Sequence, residues 1–307
     1  MAHHRECLQH AHSYAPADFT LAFALGTGLN LAFVVTELAF GFVANSLALI
    51  ADAIHNFSDV IGLVLAWGAA ALAKRGPTAS RTYGFRRGSI LAAIGNAALL
   101  FVAIGAIAVE AMHRLQEPAP VASNTVLWVA GIGILINGLT ALLFMRGREQ
   151  DLNIRGAFLH MAADALVSAG VVLAALLIGF TGWLWLDPAV SLAVAVVILA
   201  GSVGLARESF NLALDAVPRG IDRVGIESYL AGLPGVIEVH DLHIWAMSTT
   251  ETALTAHLVR PRSVADDHLL MAAADELRHR FGIQHATLQV EAGDPAHPCP
   301  LASADVV

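Results

Sequence analysis

Apolar residues fill the first two thirds of the chain in long stretches separated by short polar intervals. A helix that crosses a bilayer needs about 20 mostly apolar residues. The pattern predicts six spans, near Phe19 to Val43, Ser46 to Ala73, Ser89 to Met112, Thr125 to Met145, Ile154 to Phe180 and Trp183 to Leu205. Beyond Arg207 the segments shorten. Asp222 to Leu233 reads as a helix, and Val236 to Met247 and Glu251 to Val259 alternate as strands do. Val264 to Phe281 reads as a helix with apolar Leu269, Leu270, Ala273 and Leu277, and Ile283 to Glu291 as a last strand. The predicted fold class is an all-α six-helix transmembrane domain plus a C-terminal α+β domain of order αββαβ with one antiparallel-rich sheet. The corresponding domains are a His-rich N-terminal tail at 1–18, the transmembrane domain at 19–210, the α+β domain at 211–292 and a C-terminal tail at 293–307.

Composition agrees with a bilayer setting. The 307 residues are 57% hydrophobic and 14% charged, against about 25% charged in an ordinary soluble domain. The mean hydropathy is +0.66. The net charge of −8 gathers mainly outside the apolar segments and does not mark a nucleic-acid binder. Cys7 and Cys299 lie near opposite ends and make no disulfide framework. The polar first eighteen residues read as a tail without a secretory leader.

Basic residues set the expected orientation. Lys74, Arg75, Arg81, Arg86 and Arg87 follow the second span, and Arg146, Arg148 and Arg155 follow the fourth. The loops after spans one and five carry none, and the loop after span three carries only Arg114. Positive residues stay on the cytoplasmic side. Six spans then place both termini in the cytoplasm, with Trp183 and Trp185 at the outer boundary. The expected location is a bacterial inner (plasma) membrane.

Ionisable groups inside a span cost about 2.5 kcal/mol or more each at the bilayer centre. Span two nevertheless holds His55 and Asp59, and span five holds His160 and Asp164, each pair four residues apart. Residues i and i+4 share a helix face. Two such stripes facing one another offer two imidazoles and two carboxylates, which suits a tetrahedral zinc ion. The two carboxylates cancel its charge, which lowers the burial penalty. Imidazole also favours zinc and its late-transition neighbours over magnesium and calcium. Asp52, one turn before His55, is an outer partner, a helix-orienting group or a further ligand. Glu37, Asn96, Glu110 and Asn137 read as interhelical hydrogen-bonding or boundary residues.

Strand alternation places His285, Thr287, Gln289 and Glu291 on one face. His257 shares a face with Thr255 and Val259, His240 shares one with Leu242 and Ile244, and His243 points the other way. His240, His257, His285 and Glu291 are therefore candidates for a second metal site. The tract His3, His4, Cys7, His10, His12 and the pair His297, Cys299 are either metal-binding or plain solvated tails.

The chain resembles the cation diffusion facilitators. The resemblance is carried by NSLALIADAIHNFSDVIGL, RTYGFRRGSILAAIGN, NIRGAFLHMAADALVSAGV and VHDLHIWAMS, together with the six-span plan. The paired His-x-x-x-Asp motifs resemble the zinc-type branch of that family. The resemblance implies a homodimer with a ferredoxin-like, metallochaperone-like cytoplasmic domain. It implies efflux of zinc, with cadmium or cobalt as alternatives, by metal/proton antiport through an alternating-access site at His55, Asp59, His160 and Asp164. The metal is substrate and also a candidate regulator, protons are the second substrate, and no organic cofactor or enzyme activity is expected. It further maps cytoplasmic ligands onto His240, His257 and 285–291, a bacterial ligand position onto His268, and a hinge charge pair onto Arg87 and Asp215. Ser89 stands where many relatives have glutamate, and Gln289 with Glu291 departs from a His-x-Asp arrangement. The rival classes are a membrane metal sensor and an intramembrane zinc hydrolase. The hydrolase would require an open metal position, and the His-Glu-x-x-His motif is missing.

Overall fold

The computed structural model describes residues 21–145, 152–261 and 267–303. The N-terminal tract from His3 to His12 lies outside the described residues. Six long helices come first: α1 Leu21–Val43, α2 Leu47–Ala73, α3 Gly88–Gln116, α4 Ser123–Phe144, α5 Leu152–Thr181 and α6 Leu186–Ala213. Then follow α7 Arg223–Ala231, β1 Glu238–Ala246, β2 Thr252–Val259, α8 Asp267–Phe281 and β3 His285–Glu291. The observed order is the expected αββαβ after six apolar helices. Among the described residues, five helices (α2 to α6) are long and apolar enough to cross a membrane, and α1 adds the apolar stretch Leu31–Val43. Large apolar side chains face outward, including Val102, Leu166 and Phe180 at 74%, 76% and 86% exposure. Such a surface suits lipid, where helices satisfy their own backbone groups.

The chain divides into two compact units that cut through α2, α3 and α6. The first comprises residues 1–60 and 110–192. Its core joins Ala44, Ala48 and Leu49 to Val126, Val129 and Ala130 of α4 and Val171 and Ala175 of α5. The many alanines let helix backbones approach closely, as membrane helices require. Asn45 takes a left-handed φ of 54° between α1 and α2, a conformation asparagine tolerates better than most residues. Its side chain donates to Pro120 O at 3.0 Å, and its carbonyl accepts from Arg114 Nη1 at 2.8 Å.

The second unit comprises residues 61–109 and 193–307 and contains the sheet. Ile226 and Leu230 of α7 and Leu277 of α8 bury against Ile244, Leu254, Ala256 and Leu258. Asp222 caps α7, accepting from Gly225 N at 2.9 Å. The strand order is β1-β2-β3. β1 and β2 are antiparallel, whereas β2 and β3 are parallel. The sheet is thus half parallel, not antiparallel-rich, because α8 carries the chain back to the end of the sheet where β2 begins, so that β3 runs beside β2 in the same direction. Asp241 has φ 50° and sits in a register shift between His240 and His243. This is a β-bulge, and it interrupts the two-residue alternation.

Candidate functional site

α2 and α5 each bring one imidazole and one carboxylate to a common point inside the first unit. His55 Nε2 lies 3.3 Å from Asp164 Oδ1 and 3.8 Å from Asp59 Oδ2. His160 Nε2 lies 3.3 Å from Asp59 Oδ2 and 3.6 Å from Asp164 Oδ2. The two rings stand 6.1 Å apart, nearly perpendicular at 79°. Nitrogen and oxygen ligands about 2.0–2.1 Å from zinc stand about 3.3 Å apart along the edges of a tetrahedron. The four spacings therefore suit a zinc cage with little movement. Asp59, His160 and Asp164 already offer ligand atoms within 4.8 Å of one another, and His55 reaches both carboxylates. Asp164 is the deepest, with its side chain 3% exposed, while His160 is the most open at 42%. His55 Nδ1 is buried without a hydrogen-bond partner, and the buried Asp59 Oδ2 is faced by the His160 and His55 nitrogens at 3.3 and 3.8 Å. Buried polar atoms are ordinarily satisfied, so these atoms fit a cluster built to hold an ion.

A polar layer beside the cluster fixes the two helices. Ser168, one turn past Asp164 on α5, donates to Asp52 Oδ2 at 2.8 Å. Asp52 is fully buried and, through Ser168, ties α2 to α5 next to the cluster. Asn56 donates to the fully buried Glu37 of α1 at 3.2 Å. Outer contacts of this kind commonly affect metal affinity 10–100-fold. Ser168→Ala is therefore expected to weaken zinc binding about tenfold without loss of folded protein, as read by isothermal titration. Glu110 accepts from Arg114 Nε at 2.8 Å, one turn further along α3.

The N-terminus of α2 is anchored by a residue that the sequence patterns do not single out. Asp187, 2% exposed at the start of α6, accepts from Ser46 Oγ at 2.5 Å, Leu47 N at 2.7 Å and Ala48 N at 3.3 Å. A carboxylate here satisfies free N–H groups and meets the positive end of the helix dipole. Ser46 before an apolar run signals a helix start, but nothing local in the sequence signals the partner from α6.

On the sheet of the second unit, His240 and His257 face each other in register, their rings 5.2 Å apart. His257 Nδ1 lies 2.9 Å from Glu291 Oε1, and His240 Nε2 lies 3.5 Å from Glu291 Oε2. Cys299 Sγ lies 3.5 Å from His257 Nδ1. His240, His257, Glu291 and Cys299 offer ligand atoms within 4.8 Å of one another. Burial pushes the Glu291 carboxyl up, but hydrogen bonds from Cys299 and Gln289 and the two imidazoles outweigh it and hold it below its usual value. The Leu301 N–H draws the Cys299 thiol down, but burial and the Glu291 and Asp241 carboxylates carry it above its usual value.

His285 does not join this group. A strand rises about 3.3 Å per residue, so the six steps from His285 to Glu291 span about 20 Å. His285 instead meets the Tyr83 ring edge to face at 5.7 Å. The bulge at Asp241 changes two further expectations, the face of His243 and the pairing of His240 with Ile244 on one face. His240 stands opposite His257, whereas Ile244 stands opposite Leu254 on the other face. The bulge brings His243 opposite Thr255, on the face shared with His257, and it aims the Asp241 carboxylate at both rings, 2.8 Å from His243 Nε2 and 3.4 Å from His257 Nε2. Asp241 thereby fixes which nitrogen of His257 faces Glu291. Near the start of α3, Arg87 Nη2 pairs with Asp215 at 2.5 Å and Arg86 Nη1 with Glu251 at 2.8 Å. Ser89 Oγ accepts from Thr249 N at 3.1 Å, a neutral contact where a glutamate would bring charge. His268 at the start of α8 stands apart from these ligand groups.

Apolar helices with a buried cluster of two histidines and two aspartates, followed by a small α+β domain, define a membrane protein suited to handling a divalent cation. Residues 24–212 match the cation efflux transmembrane domain, and residues 218–293 match the cation efflux protein cytoplasmic domain. The chain belongs to the cation efflux, or cation diffusion facilitator, family of integral membrane transporters. It is 35% identical over 296 residues to the cation efflux system protein CzcD of Alcaligenes sp. strain CT14, covering 96% of this chain and 92% of that one. It is 37% identical over 281 residues to the cadmium, cobalt and zinc/H(+)-K(+) antiporter of Bacillus subtilis strain 168, covering 88% and 87%. It is 34% identical over 289 residues to the zinc transporter ZitB of Escherichia coli K12, covering 92% and 91%. A solved metal-bound C-terminal domain of CzcD from Cupriavidus metallidurans is 33% identical, covering 23% of this chain and 99% of that one, with a TM-score of 0.22.

Proposed function

We propose that the protein exports zinc from the cytoplasm in exchange for protons, with cadmium and cobalt as further substrates. The observation that carries this reading is the convergence of His55, Asp59, His160 and Asp164 at tetrahedral-edge spacings. The relatives named as zinc transporters, and the antiporter named for cadmium, cobalt and zinc, support the choice of ion. Proton exchange follows from the ligand chemistry. Metal binds only to deprotonated ligands, and imidazoles titrate near neutral pH. Protons on the outer side displace the metal from the four-ligand cluster, and the protonated cluster returns inward to be unloaded. The basic residues Lys74, Arg75, Arg81, Arg86 and Arg87 after α2 support cytoplasmic termini in a bacterial inner membrane. The matched cytoplasmic domain supports a homodimer, and the His240–His257–Glu291 face supports a resident, regulatory zinc ion there.

Zinc uptake into inside-out vesicles tests the exchange. An acidic lumen is expected to accelerate uptake, a reversed gradient to slow it, and uptake to raise luminal pH. Each exchanged proton contributes about 1.4 kcal/mol per pH unit, about tenfold in the final zinc ratio. Uptake indifferent to an imposed gradient removes the antiport, and absence of any zinc uptake leaves only a sensor or an enzyme.

A further inference from the structure

The geometry points to Cys299 as a thiolate ligand that completes a metal site of one cysteine, two histidines and one glutamate on the sheet, carried there by a C-terminal strap. This rests on the proposal that the His240–His257–Glu291 face holds a metal, and it adds the fourth ligand, its chemical class and the segment that delivers it. Cys299 lies beyond the matched cytoplasmic domain, which ends at residue 293.

The strap is built to turn back. Gly293 takes φ 66°, and a Cβ there would come within 2.7 Å of Val259 Cγ1. Only glycine gives the chain both the left-handed turn and the close passage over β2. Asp294 then holds a tight bend, its side chain accepting from Ala296 N at 2.9 Å and its carbonyl from His297 N at 3.0 Å. Pro295, Pro298 and Pro300 restrict the segment further. The result seats Cys299 beside His257 and Glu291.

His240 supplies an independent sign of a missing partner. Its side chain is 7% exposed, and both ring nitrogens are buried without a hydrogen bond, each facing a carboxylate oxygen at 3.5 Å, Nδ1 that of Glu238 and Nε2 that of Glu291. Buried polar atoms in folded proteins nearly always have a hydrogen-bond partner, and the 3.5 Å spacing of Nε2 and Glu291 is close to that of two ligands on one tetrahedral ion. The spacings fit a tetrahedral ion. With Zn–S about 2.3 Å and Zn–N about 2.0–2.1 Å, sulfur and nitrogen ligands stand about 3.5 Å apart, and Cys299 Sγ to His257 Nδ1 is 3.5 Å. One thiolate and one carboxylate neutralise a divalent cation. When the metal binds, the thiol proton is released to solvent and the sulfur lone pair forms the new bond. A sulfur ligand biases the site toward zinc, cadmium and cobalt and against magnesium, calcium and manganese. The strap is then held in place by such a metal only while the thiol is reduced.

Cobalt(II) is the probe, because its spectrum reports sulfur ligation directly. The chain has two cysteines, so full-length Cys7→Ser/Asp164→Ala protein keeps Cys299 as its sole thiol and lacks an intact transport site. Adding cobalt is expected to give tetrahedral d–d absorption together with a near-ultraviolet sulfur-to-cobalt charge-transfer band. A further Cys299→Ser substitution should abolish that band and weaken cobalt binding at least about tenfold. His257→Ala should remove both features. Tetrahedral absorption that depends on His257 but lacks the charge-transfer band overturns Cys299 as a ligand while the His240–His257–Glu291 site stands. No His257-dependent absorption at all overturns that site, and the strap inference with it.

Discussion

Replacing Asp164 with alanine lowers zinc flux in proteoliposomes at least about 100-fold, with membrane insertion and dimerisation unchanged. The magnitude follows from burial and charge. Asp164 is the most enclosed of the four clustered side chains, and it lies 3.3 Å from His55 and 3.6 Å from His160. With both carboxylates the cluster neutralises zinc; with one it leaves a net positive charge in a region of low dielectric, a costly state. Outer contacts alone account for about 10–100-fold in metal affinity, so loss of a direct ligand exceeds that range. Asp164→Asn, which keeps the volume but not the charge, should behave almost as badly, and His55→Ala likewise abolishes flux. Near wild-type flux in Asp164→Ala removes it from the transport site.

Asp187→Ala produces the second large effect, on stability. The wild-type carboxylate accepts one hydroxyl and two amide hydrogen bonds at the N-terminus of α2. Alanine leaves these donors buried and unpaired, and each such group costs about 1–3 kcal/mol. Loss of the charge at the helix dipole adds to this. The expected total is about 3 kcal/mol or more, seen as a thermal midpoint several degrees lower in detergent. Zinc flux falls as well, because α2 carries His55 and Asp59 and loses its anchor. Asp187→Asn retains an acceptor and should fall between the two. A midpoint unchanged in Asp187→Ala contradicts the capping role.

The spans are legible because a bilayer imposes a length that apolar stretches must meet, and helix ends such as Val43 and Ala73 fall where the sequence places them. The candidate site is legible because His55 with Asp59, and His160 with Asp164, are local i,i+4 pairs. That α2 and α5 bring those pairs together is a tertiary fact that periodicity does not contain. The same limit hides Asp187, which caps a helix 141 residues away from it in sequence, and the Asp52–Ser168 contact, 116 residues apart. On the sheet, alternation fails for two identifiable reasons. It assumes an unbroken pleat, whereas Asp241 bulges out of β1 and shifts everything beyond it. Alternation also marks a face but not a distance along it, so it groups His285 with Glu291 although about 20 Å of strand separates them. Cys299 stands in the sequence as a tail residue, and only the turn at Gly293 brings it to the imidazoles.

Crystals of the full-length protein grown with zinc and measured on both sides of the zinc absorption edge address the transport site most directly. The anomalous difference map should show a peak enclosed by His55, Asp59, His160 and Asp164, about 2 Å from one atom of each. A zinc-loaded crystal with no peak there, or with those four side chains turned to separate partners, contradicts the assignment.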